Sequence, residues 1–125
     1  MSDAVAQRPV VLVVEDDFLL RMDAVDIVKS GGFDAVEAGN ADEAIAILEA
    51  RPTIHVVFTD IQMPGSMDGL KLAKFVKDRW PPIKIVTTSG RVRIAGDDLP
   101  DGGRFIAKPC SPAQVIGTLR DLTAN

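Results

Sequence analysis

Five strand-like runs, each closed by a polar residue and followed by a segment of helical spacing, constrain this chain more than any other feature. The first is the clearest. Val10-Val11-Leu12-Val13-Val14 has no polar position and stops at Glu15-Asp16-Asp17. A short run without alternation suits a strand covered on both faces, as in a parallel sheet flanked by helices. Residues 33–38 form a weaker run, and residues 54–59, 83–88 and 105–107 supply the rest. After the first run, Leu19, Leu20, Met22, Val25, Ile27 and Val28 recur with helical spacing until Gly31-Gly32 end the helix.

Local signals mark the other helices. Asn40 with Glu43 three residues on resembles a capping box, Ala44, Ile45, Ile47 and Leu48 form an apolar face, and Pro52 terminates the helix. Asp68 is placed to cap a helix running to about Trp80, after a turn-rich loop over residues 62–67. Ser111-Pro112-Ala113-Gln114 combines an N-cap, a proline at the first helical position and a capping-box glutamine. Residues 91–103 hold Gly96, Pro100, Gly102 and Gly103, so the fourth helix is expected to be short or irregular. The order predicts an α/β fold: a five-stranded open parallel sheet with helices on both faces.

Composition narrows the function classes. The 125 residues fit one domain, expected over 9–125 after a flexible leader at 1–8. A net charge of −4 argues against nucleic acid as the main partner. One cysteine, Cys110, excludes an intramolecular disulfide and a cysteine-cluster metal site. No run is long enough to span a membrane and no signal-peptide core opens the chain, so a cytoplasmic protein is expected.

The ends of the runs carry the chemistry. In an open parallel sheet, ligands bind outside the carboxyl ends of the strands. Here those ends deliver Glu15, Asp16 and Asp60, the hydroxyl of Thr88 and the ammonium of Lys108 to one edge. Two carboxylates about 4 Å apart repel by about 4 kcal/mol at an effective dielectric near 20, so a proton or a cation must join them. An oxygen-only ligand set suits Mg²⁺, and no His or Cys lies near in sequence to favour zinc. The expected site uses Asp16 and Asp60 directly and Glu15 through water. Added Mg²⁺ is then expected to raise the melting temperature and to perturb Trp80 or backbone signals. A metal, a carboxylate nucleophile and a fixed ammonium are also what phosphoryl transfer needs, with Asp60 the best nucleophile.

Over nearly its whole length the sequence resembles the receiver domain of two-component response regulators. The matching motifs are Val13-Val14-Glu15-Asp16, then Asp60-Ile61-Gln62-Met63-Pro64-Gly65 continuing to Asp68-Gly69, then Thr88-Ser89-Gly90 and Lys108-Pro109. The resemblance implies that Asp60 accepts a phosphoryl group from a histidine kinase or a histidine phosphotransfer protein. It implies that Glu15 and Asp16 are the acidic pair of a Mg²⁺ site completed by the backbone carbonyl of Gln62. Thr88 and Phe105 become the switch pair, with Thr87 the other reading of the hydroxyl, and the bond after Lys108 is expected to be cis. The resemblance also implies a flavodoxin-like, doubly wound sheet in the order 2-1-3-4-5, and the expected output is protein–protein signalling or phosphorelay by a stand-alone receiver, without enzymatic turnover beyond self-phosphorylation and autodephosphorylation.

The chain departs from the family pattern in the broken stretch 91–103 and in Cys110, which stands where a large aromatic is common. Gln62, two residues past the acceptor, is positioned to influence the hydrolytic water. Competing readings are a phosphatase with an Asp nucleophile and a receiver-like binding module that is never phosphorylated. The phosphatase usually wants a second Asp where Gln62 stands. A nucleotide carrier lacks its Gly-rich loop after the first strand. Asp17 is assigned to capping, and His55, the single histidine, to a structural or exposed role.

Overall fold

The structure is a computed structural model that describes residues 8–50, 53–63, 67–90, 99 and 102–124. Its elements run β1 (Val10–Val14), α1 (Phe18–Ser30), β2 (Asp34–Ala38), α2 (Ala41–Ala50), β3 (Ile54–Asp60), α3 (Gly69–Arg79), β4 (Lys84–Ser89), β5 (Arg104–Ala107) and α4 (Pro112–Thr123). The five strands form one sheet in the order β2-β1-β3-β4-β5, every neighbouring pair parallel. Architecture and strand order match the expectation. Residues 1–7 of the expected leader at 1–8, Pro52 and nearly all of the irregular stretch 91–103 lie outside the described residues, so the helix expected fifth is α4 here.

Local signals fix the helix ends. Asp17 Oδ1 accepts from the N–H of Leu20, Asp68 Oδ1 from Lys71 and Ser111 Oγ from Gln114. Each satisfies a donor that a first helical turn leaves unpaired. At α2, Asn40 Oδ1 takes the N–H of Glu43, but the Glu43 carboxylate reaches back to the N–H of Gly39 rather than that of Asn40.

Two apolar layers flank the sheet. On one face Leu12, Val14 and Val57 pack with Leu48 of α2 and Leu72 and Val76 of α3. On the other Val11, Val13, Val56, Phe58, Val86 and Ile106 pack with Val25 and Val28 of α1 and Val115 and Leu119 of α4. Both layers draw on β1, which explains why its five residues are all buried and none is polar. Each fully buried Leu or Val contributes about 1.5–3 kcal/mol relative to exposure.

One irregularity interrupts the central ladder. Val10 pairs with Ile54 but Val11 pairs with Val56, which leaves His55 as the extra residue of a bulge. Its Nδ1 accepts the N–H of Val10 at 3.0 Å. His55 is exposed and structural, consistent with the role its position suggested.

Candidate functional site

Residue parity assembles the site. Side chains alternate across a strand, so counting by two from a core residue stays on one face. Phe58 and Val86 belong to the layer under α1 and α4, which puts Asp60 and Thr88 on that face, directly opposite each other in the β3–β4 register. Val13 and Ile106 lie in the same layer, and Glu15 and Lys108 follow them just past the ends of β1 and β5. Four polar side chains thus emerge where four apolar ladders run out. Asp60 is the last residue of β3 and is 7% exposed, at the rim rather than mid-strand.

Lys108 joins the carboxylates. Its Nζ lies 3.1 Å from Glu15 Oε1 and 3.1 Å from Asp60 Oδ2. The other Asp60 oxygen, Oδ1, accepts the N–H of Gln62 at 3.2 Å. Glu15 Oε2 accepts the N–H of Asp17, and the Glu15 carbonyl accepts from Arg21. Asp16 is exposed, yet one oxygen each from Glu15, Asp16 and Asp60 lie within 4.8 Å of one another. The Lys108–Pro109 bond is cis.

The charges do not balance. Three carboxylates face one ammonium within the cluster. Burial pushes the Glu15 carboxyl above the usual glutamate range, helped by nearby Asp60 and opposed by the Asp17 N–H and by Lys108. Burial works against the charged form of Lys108, but its hydrogen bonds to Asp60 and Glu15 outweigh that and hold the ammonium above the usual lysine range. The excess negative charge, carried on clustered oxygens with no nitrogen or sulfur donor in the set, fits a hard divalent cation such as Mg²⁺.

The loop after β3 is pinned by close backbone packing. Gly69, the first residue of α3, donates to the Ile61 carbonyl at 2.8 Å. A Cβ built on Gly69 would stand 2.0 Å from the Asp60 carbonyl oxygen and 2.7 Å from Ile61 Cα. Only glycine lets the helix start this close to the acidic rim.

The strand register divides the hydroxyls between the two faces of the sheet. Thr88 pairs with Ile106 across β4–β5, whereas Phe105 pairs with Thr87. Phe105 therefore faces the side opposite to Thr88 and Asp60. The Thr88 hydroxyl meets Cys110 Sγ at 3.2 Å, and Thr87 donates to the Arg104 carbonyl at 3.3 Å. Ser89, buried and on the Phe105 face, donates from Oγ to the side-chain oxygen of Gln62 at 3.2 Å. Reading by motif alone passed over Ser89. Parity puts residue 89 on the face of residue 87, and only the β4–β5 register puts that face with Phe105.

A parallel α/β sheet in this strand order is flavodoxin-like, and here it carries acidic residues just after the first strand and at the end of the third, with a Lys-Pro after the fifth. The chain matches the response regulator receiver domain across residues 11–120 and belongs to that family. It is 35% identical over 102 residues to the response regulator protein FleR of Pseudomonas aeruginosa, covering 79% of this chain and 21% of that protein. The sensor kinase CckA of Brucella abortus is 33% identical over 116 residues, covering 90% of this chain and 12% of the kinase. The chain thus spans only 21% and 12% of the length of these two relatives. Among solved structures, a response regulator receiver protein from Pseudomonas putida superposes with a TM-score of 0.81 at 28% identity, covering 94% of this chain and 99% of that one. Receiver domains are signalling modules, and among the described residues no helix is long and apolar enough to cross a membrane.

Proposed function

We propose that this chain is a phosphoacceptor switch in which Asp60 takes a phosphoryl group from a phosphohistidine protein, a histidine kinase or a phosphotransfer protein, and signals by protein contact or relay. The observation that carries the reading is the shared ammonium: Lys108 touches the very carboxylate that would react, 3.1 Å from Asp60 Oδ2. An Asp60 oxygen attacks phosphorus as the P–N bond of the donor breaks. The electron pair stays with the imidazole, which takes a proton from water. Lys108 orients Asp60 beforehand and afterwards pairs with a phosphoryl oxygen. Asp16, Asp60 and the Gln62 backbone carbonyl, with Glu15 through water, are the groups suited to Mg²⁺, which when bound would offset charge on the phosphoryl oxygens.

Switching follows from differential contact: a new dianion on Asp60 attracts hydroxyls and the ammonium that the free carboxylate holds differently. Thr88 shares the face of Asp60. Ser89 reaches the same loop through Gln62, whose N–H already bonds Asp60. We assign Ser89 and Phe105, which share the opposite face, to carrying the change there, with Thr88 and Lys108 contacting the acyl phosphate. Acetyl phosphate with Mg²⁺ is expected to label the wild-type chain and to leave Asp60→Asn unlabelled. Labelling of that variant at wild-type level would remove Asp60 from its role.

A further inference from the structure

At the foot of the sheet, away from the acidic rim, lies a cavity of about 730 Å³, within the size range of small-ligand sites. β3 starts beside it at Ile54 and ends at Asp60, so at about 3.3 Å per residue the two places are about 20 Å apart. Buried Ile54 and Ile83 and half-buried Leu122 give the cavity an apolar lining, and Trp80, the single tryptophan of the chain, adds an indole ring. Every titratable side chain in the lining is basic: His55, Arg79 and Lys84. In a chain with 18 Asp and Glu against 14 Lys and Arg, that is a local reversal of sign. The three have different commitments. Arg79 lies in the last turn of α3, where it complements the negative helix end, and it crosses the Trp80 ring at 5.0 Å and pairs with Glu49 at 3.3 Å. Lys84, exposed at the start of β4, has no ion pair among the described residues. His55 is the extra residue of the β1–β3 bulge, and bulges re-aim side chains. Because Nδ1 accepts the N–H of Val10, the neutral ring keeps its proton on Nε2, which is a donor.

We propose that this cavity binds a small planar aromatic anion, a ring that carries a phosphate or a carboxylate, with the ring against Trp80 and the apolar lining and the anionic group on Lys84 and His55. The two features select together. Apolar walls and an indole favour a flat ring, and a lining with basic groups and no carboxylate favours an anion over a cation. Glu49 already offsets the charge of Arg79, so Lys84 carries most of the charge recognition. The site is separate from Asp60 and stands whether or not Asp60 accepts a phosphoryl group.

Titrations on the intact chain without Mg²⁺ test this, and Trp80 fluorescence reads the cavity directly because the chain has no second tryptophan and no tyrosine. Adenosine 5′-monophosphate and phenylacetate are the probes, one for each anionic group. At least one is expected to change the fluorescence saturably and to shift the amides of Ile54, His55, Ile83 and Lys84, with those of Asp16 and Gln62 unmoved. The probe that binds names the source, a nucleotide or an aromatic carboxylate. Analogues with one half missing, adenosine and ribose 5-phosphate for the first and 2-phenylethanol and acetate for the second, are expected to bind at least about tenfold more weakly. Lys84→Glu, altered at an exposed strand position, is expected to lose a similar factor, and Lys84→Met stands in if it fails to fold. Binding of neither probe, a neutral analogue that binds as tightly as its anion, or undiminished binding to a folded Lys84 variant overturns the proposal.

Discussion

At the scale of single residues, the site is governed by how many groups share each partner. Lys108 serves two carboxylates, and Gln62 links Asp60 through its N–H to Ser89 through its side chain. This wiring separates the roles of two adjacent hydroxyls that the motif Thr88-Ser89-Gly90 presents together. Thr88→Ala removes a group from the Asp60 face and is expected to slow acetyl phosphate labelling by several-fold. Ser89→Ala is expected to leave labelling within about twofold and to abolish the phosphorylation-dependent change in the Phe105 amide and ring signals. A loss of the Phe105 response in Thr88→Ala but not in Ser89→Ala would reverse the assignment. The identities of Glu15, Asp16, Asp60 and Lys108 were legible because each ends an apolar run. The faces that Thr88, Ser89 and Phe105 take were not, because facing depends on which residues of β4 and β5 stand opposite, and that register is invisible in either strand alone.

At the scale of elements, close approach matters more than propensity. Helix α3 begins under the strand that ends in Asp60, and Gly69 is the contact point. Gly69→Ala would normally favour a helix, since alanine is about 1 kcal/mol better in helix interiors. Here the added methyl meets backbone, which cannot rotate away, so the loop after β3 must move. The expected outcome is a destabilisation of about 1–3 kcal/mol, the usual range for overpacking, together with weaker labelling of Asp60. Denaturant melts and acetyl phosphate assays on the same variant check both, and a stabilised, fully labelled Gly69→Ala would show that the loop yields freely. The motif Asp68-Gly69 was readable as a cap followed by a helix start. Its glycine is explained only by the neighbouring strand. The caps at Asp17, Asp68 and Ser111 were read correctly for the opposite reason: each bonds a donor three residues away.

At the scale of the whole molecule, stability and ligand binding draw on the same charges. Burial raises Glu15, so the native protein holds that proton more tightly than the unfolded chain does. The resulting stabilisation is complete below the unfolded-chain value and is lost as pH rises through the native one. Metal-free protein is therefore expected to lose stability from this group as pH climbs above the usual glutamate range, and Glu15→Gln to flatten that slope. Mg²⁺ requires the ionised cluster, so its stabilising effect should grow with pH, reaching about 2.7 kcal/mol at one hundred times its dissociation constant. Thermal melts from acid to neutral pH, with and without Mg²⁺, test both, and parallel curves for wild type and Glu15→Gln would refute the assignment. Backbone amides are the signals to follow. Trp80, named with the backbone as a reporter of the metal, caps α3 and lines a cavity with Pro9, His55 and Ile83 beside the starts of β3 and β4, at the end of the strands opposite to the acidic rim.

The amino-acid order alone determined the alternation of strands and helices, the local caps and the identity of the charged groups at the strand ends. These depend on hydrophobic period and on hydrogen bonds a few residues long. Tertiary structure decided which hydroxyl shares a face with Phe105, why residue 69 must be glycine, and that Cys110 lines a cavity with Leu20, Ala24 and Ile27 of α1. Each of those is a distance between segments remote in the chain, set by strand register and by helix packing across the sheet.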